Sequence, residues 1–331
     1  MKKIFLISCL GIFSSFILLE ALMHLYFSFY QNYYIEMWKY AGQLKTESSA
    51  KRSHQHIAHA QAVIMSKMVK INSLGLRNEE VLINKKNNYR ILLLGDSITF
   101  GFGVDLKQTF SKILQSRFKN EKQQNVEVIN AGVGNYNTAQ ELAFYEENLM
   151  PLKPDEIILC FFINDLENIQ HYTNNDLTRH SMVFALLSAL WRNALPYFRK
   201  NQNYLSYYQS LYSQKNLDQW ESLMAKFKKE VDHHNIEFKV LLIPEIHQLK
   251  PYPFTREYSL IENRLRDLHI NFVNALSWFD SNRSVRDYWV AKDDTHPNER
   301  GHEVLARALW EGFYVQKVSP LRTAHLLHPH P

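Results

Sequence analysis

An α/β fold, with a parallel sheet covered by helices on both faces, is the class this sequence predicts, on three observations. Short apolar runs stand at residues 91–94, 126–131, 156–162, 238–243 and 271–275. Longer amphipathic stretches alternate with them at about 107–119, 138–149, 217–234, 257–268 and 298–314. Five strands alternating with helices make βαβ units, whose crossovers put helices on both sides of a parallel sheet. The 331 residues, 46% of them hydrophobic, suffice for one large domain with an accessory segment.

At the N-terminus Lys2 and Lys3 precede an apolar stretch, residues 4–23, which as a helix is about 30 Å long and matches a bilayer's hydrocarbon thickness. Tyr26, Phe27, Phe29, Tyr30, Tyr33 and Tyr34 continue it as an interfacial belt, and no small-x-small cleavage site follows. Leu6-Ile7-Ser8-Cys9 resembles a lipoprotein cleavage box, but too few apolar residues separate it from the lysines to make a signal core. Residues 1–30 are therefore expected to be an uncleaved single-pass anchor in the cytoplasmic membrane. The paired lysines stay inside, and the bulk of the chain is extracytoplasmic, that is periplasmic. Glu20, ionisable within the span, reads as interfacial or protonated.

Residues 31–70 are polar, rich in His, Lys and Gln, and read as a stalk with some helix. His54, His56 and His59, like His325, His328 and His330 in the tail at 317–331, lack carboxylate or thiolate companions and read as solvated surface histidines; no metal is expected. Residues 71–316 form the expected catalytic domain, interrupted by an insertion at 166–215. That insertion is rich in Tyr and Trp, includes the apolar run 182–190 before Trp191 and Arg192, and is a candidate lid or an appendage on the core. The formal charge of +5 comes from 38 basic and 33 acidic residues scattered along the chain, so nucleic acid is not an expected partner. Cys9 lies in the anchor and Cys160 in a predicted buried strand, which excludes a disulfide framework.

Chemistry is expected where strands end, because in open parallel sheets the carboxyl ends converge on one crevice. Ser97, Gly134, Asn135, Asn164 and Asp165 each follow a predicted strand. Taken singly, Ser97 reads equally as a helix N-cap, Asn164-Asp165 as a turn, and Asp293 to His296 as a helix start with Pro297 at its first position. Together they supply a nucleophile, a base and an orienting carboxylate, which a serine needs because its hydroxyl is protonated at neutral pH. On one helical turn Asp293 reaches His296 at a spacing of three, leaving the other ring nitrogen to Ser97. The oxyanion would take the backbone N–H of Ser97, a backbone N–H of the Gly134-Asn135 turn and the Asn164 amide. An α/β-hydrolase elbow is disfavoured by Thr99, where that turn needs glycine. A phosphate loop at Gly95, Gly101 and Gly103 is disfavoured by its spacing and by Asp96.

Four blocks in order carry a resemblance to the SGNH (GDSL-type) hydrolase family: Ile91-Leu92-Leu93-Leu94-Gly95-Asp96-Ser97-Ile98-Thr99-Phe100-Gly101, Val128-Ile129-Asn130-Ala131-Gly132-Val133-Gly134-Asn135-Tyr136, Asn164-Asp165, and Asp293-Asp294-Thr295-His296-Pro297-Asn298. Asn72-Ser73-Leu74-Gly75-Leu76-Arg77 resembles the lead-in of membrane-anchored and envelope members, and the likeness spans about residues 70–315. The resemblance implies a flavodoxin-like three-layer α/β/α sandwich with Ser97 as nucleophile, His296 as base, Asp293 as its partner and Asn164 as an oxyanion donor. The family's second-block glycine aligns with Asn135, and Phe162 stands where the third block usually opens with glycine. Asn tolerates the left-handed backbone better than most residues.

The expected activity is a serine-dependent esterase or deacetylase acting on a small-molecule or glycan acyl ester through an acyl-serine, without a cofactor. An O-acyltransferase modifying an envelope polysaccharide would use the same three residues, with Glu20 and the span docking a membrane acyl-donor partner. A non-catalytic binding protein on the same fold is the third reading.

Overall fold

The computed structural model describes residues 2–85, 88–169, 172, 181–188, 190 and 203–315. Five strands, β5 Tyr89–Gly95, β6 Val126–Gly132, β7 Glu156–Phe161, β8 Glu237–Leu242 and β9 Asn271–Asn274, form one parallel sheet in the order β6-β5-β7-β8-β9. Relabelled by order of appearance this is 2-1-3-4-5, the flavodoxin-like winding, whose switch point falls where β5 separates β6 from β7. All five strands coincide with the apolar runs to within two residues.

Side chains alternate along each strand, so one run feeds two cores. Leu92 and Leu94, with Ile157, Leu159, Val240 and Leu242, pack under α5 (Thr138–Phe144) and the helices Gln214–His233 and Thr255–Asp267. Ile91 and Leu93, with Ile158, Cys160 and Leu241, pack under α4 (Phe110–Lys122) and the last helix, Glu299–Leu309. Both faces are thus dry, and the runs read as continuously apolar.

The N-terminal apolar stretch is one helix, α1, Lys2–Phe29, with no buried residue. The stalk expectation is corrected. Residues 33–70 fold into α2 (Tyr33–Leu44) and two antiparallel hairpins, β1 Lys45–Glu47 with β2 His54–His56 and β3 Gln61–Ile64 with β4 Lys67–Lys70. Tyr40, Leu44, Ile64, Met65 and Val69 form a third core against Phe100 and Phe102, just beyond Ser97. The segment looks polar because its polar groups are consumed internally: buried Glu36 accepts from the Met65 amide at 2.6 Å and from Lys39 at 2.7 Å. His54 and His56 are likewise buried, only His59 of the three being exposed. The tail histidines and Trp191 and Arg192 lie outside the described residues.

Candidate active site

The first block turns sharply because Asp96, at the end of β5, caps the four-residue helix α3, Ser97–Phe100, by accepting from the Ile98 amide at 2.8 Å. The capping role suggested for Ser97 is therefore taken by its neighbour, and the Ser97 hydroxyl is left to side-chain chemistry. Burial pushes the Asp96 carboxyl up to about 6. Gly132, at the end of β6, is demanded by contact: a Cβ there would stand 2.2 Å from the Phe100 backbone nitrogen.

Ser97 Oγ lies 2.8 Å from His296 Nε2, although 199 residues separate them. The carboxylate on the other ring nitrogen is Asp294, not Asp293: His296 Nδ1 to Asp294 Oδ1 is 2.6 Å, and the same oxygen accepts from the His296 amide at 3.0 Å. The reason is local conformation. Residues Asp294–Pro297 are a strand, β11, paired antiparallel with β10 (Trp289–Ala291), and in a strand residues two apart share a face. The expected helical turn begins later, at Glu299, with Asn298 as its cap. Asp293 instead accepts from the backbone N–H of Tyr33 at 3.3 Å, tying the end of the N-terminal segment to the site. Burial opposes protonation of His296, but the Asp294 hydrogen bond and charge, with the charge of Asp96, outweigh it and raise its pKa above the ordinary imidazole value.

Ser97, Asn135, Asn164, Asp294 and His296 line one cleft of about 490 Å3, shared with Tyr33, Tyr34 and Met37 of the N-terminal segment and with Phe162, Glu245, His247 and Lys292. Asn135 sits in the left-handed region at φ 66°, the conformation its place in the second block requires. Asp165 serves the scaffold, buried against α5 and accepting from the Thr138 hydroxyl at 2.9 Å. Phe162 lines the cleft wall where the family pattern has glycine.

Sequence reasoning missed the groups that hold the Gly134-Asn135 peptide. The Gly134 carbonyl accepts from Lys45 Nζ at 2.6 Å and from His54 Nε2 at 2.9 Å, while Lys45 also donates to Asn135 Oδ1 at 2.9 Å. The Gly134 amide donates to Tyr40 Oη at 2.8 Å, Tyr40 donates to His56 Nε2 at 2.7 Å, and His56 Nδ1 donates to the Gly75 carbonyl at 3.0 Å. Every donor in this chain fits a neutral His56, and burial indeed pulls its pKa down to about 3. A Cβ on Gly134 would stand 2.6 Å from the Tyr40 ring, so the close seating needs glycine. With its carbonyl fixed on one side, the peptide's other end, the Asn135 N–H, is constrained in direction, and donors on the carbonyl polarise that N–H. No local pattern announces this clamp, because its members lie far from the turn along the chain.

Also unforeseen is a second imidazole–carboxylate pair on the cleft wall, His247 Nδ1 hydrogen-bonded to buried Glu245, with the Tyr204 ring 4.7 Å from the imidazole.

Three buried imidazoles give a stability prediction. Burial lowers the pKa of His54, His56 and His302 to about 3 each, the charge of Lys45 adding to the effect at His54. They are neutral when folded but take up protons in the unfolded chain below about pH 6.5, so the unfolded state binds more protons and stability is lost as pH falls from 6.5 towards 3. Denaturant midpoints measured across that range should fall steeply, and a His302→Gln variant should show a shallower slope. An unchanged slope would contradict the burial of a neutral His302, which accepts from the Phe110 amide at 3.2 Å.

The family model described as GDSL-like Lipase/Acylhydrolase family matches residues 93–304. A solved catalytic mutant of Axe2, an acetylxylan esterase from Geobacillus stearothermophilus, is similar at 17% identity and TM-score 0.45, covering 69% of this chain and 95% of that one. TesA is similar at 16% identity and TM-score 0.44, covering 68% and 98%. LAE5, an alpha/beta hydrolase from the metagenome of Lake Arreo, Spain, is similar at 18% and 0.43, covering 68% and 94%. No curated protein matches the sequence.

Proposed function

Because the chain belongs to the GDSL-like lipase/acylhydrolase family and is a hydrolase acting on ester bonds, we propose that it cleaves an acyl ester at the extracytoplasmic face of a membrane through an acyl-serine intermediate. The observation that carries the reading is the continuous line Ser97–His296–Asp294, at 2.8 and 2.6 Å. Ser97 Oγ attacks the ester carbonyl carbon while its proton passes to His296 Nε2. Asp294 holds Nδ1–H and stabilises the imidazolium as it forms. The developing oxyanion takes the backbone N–H of Ser97 and of Asn135 and the Asn164 amide, each worth about 3 kcal/mol in the transition state. Collapse breaks the ester C–O bond, His296 returns the proton to the departing alcohol, and a water molecule repeats the cycle to release the acid and regenerate Ser97.

The proposed location is supported by α1. Its 28 residues reach about 42 Å as a helix, more than a bilayer's hydrocarbon, and Lys2 and Lys3 at its start favour a cytoplasmic N-terminus. The Glu245–His247 pair favours a second use of the same acyl-enzyme, transfer to a sugar hydroxyl, since an imidazole backed by a carboxylate can hold or deprotonate an acceptor. His247→Ala should then reduce transfer to an added glycan acceptor several-fold more than hydrolysis, read from product ratios; equal losses would remove this second use.

Labelling by a fluorophosphonate tests the main reading: one adduct is expected, on Ser97, suppressed by His296→Ala. A folded protein that takes no label would overturn it. A pH dependence follows as well. His296 must be neutral to accept the proton, and its pKa is raised, so the acid limb of kcat/KM should titrate above pH 6.5 and activity should rise with pH through it.

A further inference from the structure

Glu20 is spent on an unexpected partner, the insertion that follows β7. Its carboxylate accepts from the Ser181 hydroxyl at 2.7 Å, the Met182 amide at 2.6 Å and the Val183 amide at 3.1 Å. Ser181 Oγ in turn accepts from the Phe184 amide at 3.3 Å, and its carbonyl from the Ala185 amide at 2.9 Å. Residues 182–188 are helical, and the amides of Met182, Val183 and Phe184, which a helix leaves unpaired at its start, are supplied from within the protein. In water that provision is dispensable, whereas in hydrocarbon every unmet N–H costs several kcal/mol.

Position along α1 points the same way. Glu20 lies six residues, about 9 Å, and Phe16 ten residues, about 15 Å, on the lysine side of Tyr26, where the aromatic belt begins. The Phe16 ring is 5.4 Å from that of Phe184. The short helix therefore reaches the same depth as the middle of α1. Its outward side chains suit such a place: Phe184, Leu187 and Leu190 are exposed by 40%, 55% and 56%, and the hydroxyl of Ser188 is tied to the Ala185 carbonyl at 2.9 Å. At the other end α1 stops at Phe29, four residues before Tyr33, whose ring is 6.1 Å from His296 and whose backbone holds Asp293. The cleft begins where the membrane helix ends.

We propose that residues 181–188, with Leu190, dip into the bilayer beside α1, clamped there by Glu20, and that the two form a lipid-facing floor over which a membrane-resident acyl ester reaches Ser97. This rests on the membrane reading of α1 given above. Residues 181–188 are then neither a free lid nor an appendage on the soluble core, and the partner they fit is the acyl-chain region of the membrane. Glu20 is occupied by the chain's own backbone and so is not offered to another membrane protein.

The test uses the full chain carrying Cys9→Ser and Leu187→Cys, in sealed phosphatidylcholine vesicles. Alkaline extraction reports on α1 alone: release of the protein would defeat the anchor reading and this proposal with it. With α1 retained, residue 187 is expected to resist a membrane-impermeant maleimide until detergent is added, and a fluorophore placed there is expected to be quenched by brominated lipid. Free reaction in intact vesicles would overturn the dipping segment while leaving the anchor intact. Adding Glu20→Leu should raise the reaction rate about tenfold and Glu20→Gln, which keeps one acceptor oxygen, less. Equal rates in all three would remove the clamp. Finally, a long-chain ester held in the vesicles should be hydrolysed with kcat/KM about tenfold above that of its short-chain soluble counterpart; the reverse preference would overturn the membrane source of the substrate.

Discussion

Asp294→Asn is expected to lower kcat by about 10^4-fold, whereas Asp293→Asn should change it by about threefold or less. The asymmetry separates two adjacent carboxylates by what each touches. Asp294 meets His296 twice, through the ring nitrogen Nδ1 and through the backbone amide. Without its charge the ring loses both its orientation and the counter-charge for the imidazolium formed during attack. Among the described residues Asp293 holds the Tyr33 amide, at 3.3 Å, and not the imidazole, so its loss loosens the N-terminal segment over the cleft. Asp294→Asn should also move the acid limb of whatever activity remains to lower pH, because the Asp294 hydrogen bond and charge are what raise the His296 pKa against the effect of burial. Steady-state kinetics of both variants on an aryl ester check the point. Similar large losses in the two would reject the Asp294 assignment.

The second large effect is expected at Lys45, a positioning residue that touches no substrate. Lys45→Met preserves most of the side chain's volume but removes its hydrogen bonds to the Gly134 carbonyl and the Asn135 side chain. With the peptide less firmly aimed and less polarised, kcat should fall about 10^2-fold with KM nearly unchanged, since the interaction strengthens only as the oxyanion forms. Burial pulls the Lys45 ammonium down to about 7. The charged form therefore dominates below that pH, and the stabilisation it lends should weaken as pH rises through 7, giving kcat an alkaline decline. Lys45→Met should abolish that decline, and Tyr40→Phe, which severs only the neighbouring chain through His56, should keep it. A merely structural role for Lys45 would leave the shape of the pH profile intact, and that outcome would reject the assignment.

Much of the site can be read without coordinates. Ser97 stands at the end of a predictable strand, where the convergence of strand ends in a parallel sheet forms a crevice, and His296 is legible as the imidazole just before the predicted last helix, although it sits in the separate hairpin β10–β11. The left-handed Asn135 is also legible, because a small amide in place of glycine implies the backbone it must adopt. The choice of Asp293 over Asp294 fails for a physical reason. A spacing of three favours Asp293 only if residues 293–296 are helical, and pairing with Trp289–Ala291, a tertiary fact, decides for the strand.

The amino-acid order alone determined the alternation of strands and helices, the long apolar N-terminal helix and the residue types able to do ester chemistry, because hydrophobic period and residue type act over short distances. Tertiary structure alone decided which carboxylate faces the imidazole, that residues 33–70 pack as a folded unit with Tyr33, Tyr34 and Met37 on the cleft instead of forming a spacer, and that Glu20 grips residues 181–183. Each of these depends on pairing polar groups that the local pattern leaves open, most of them far apart along the chain. Burial leaves an unpaired donor or acceptor costly, so the packed fold selects partners that no local pattern specifies.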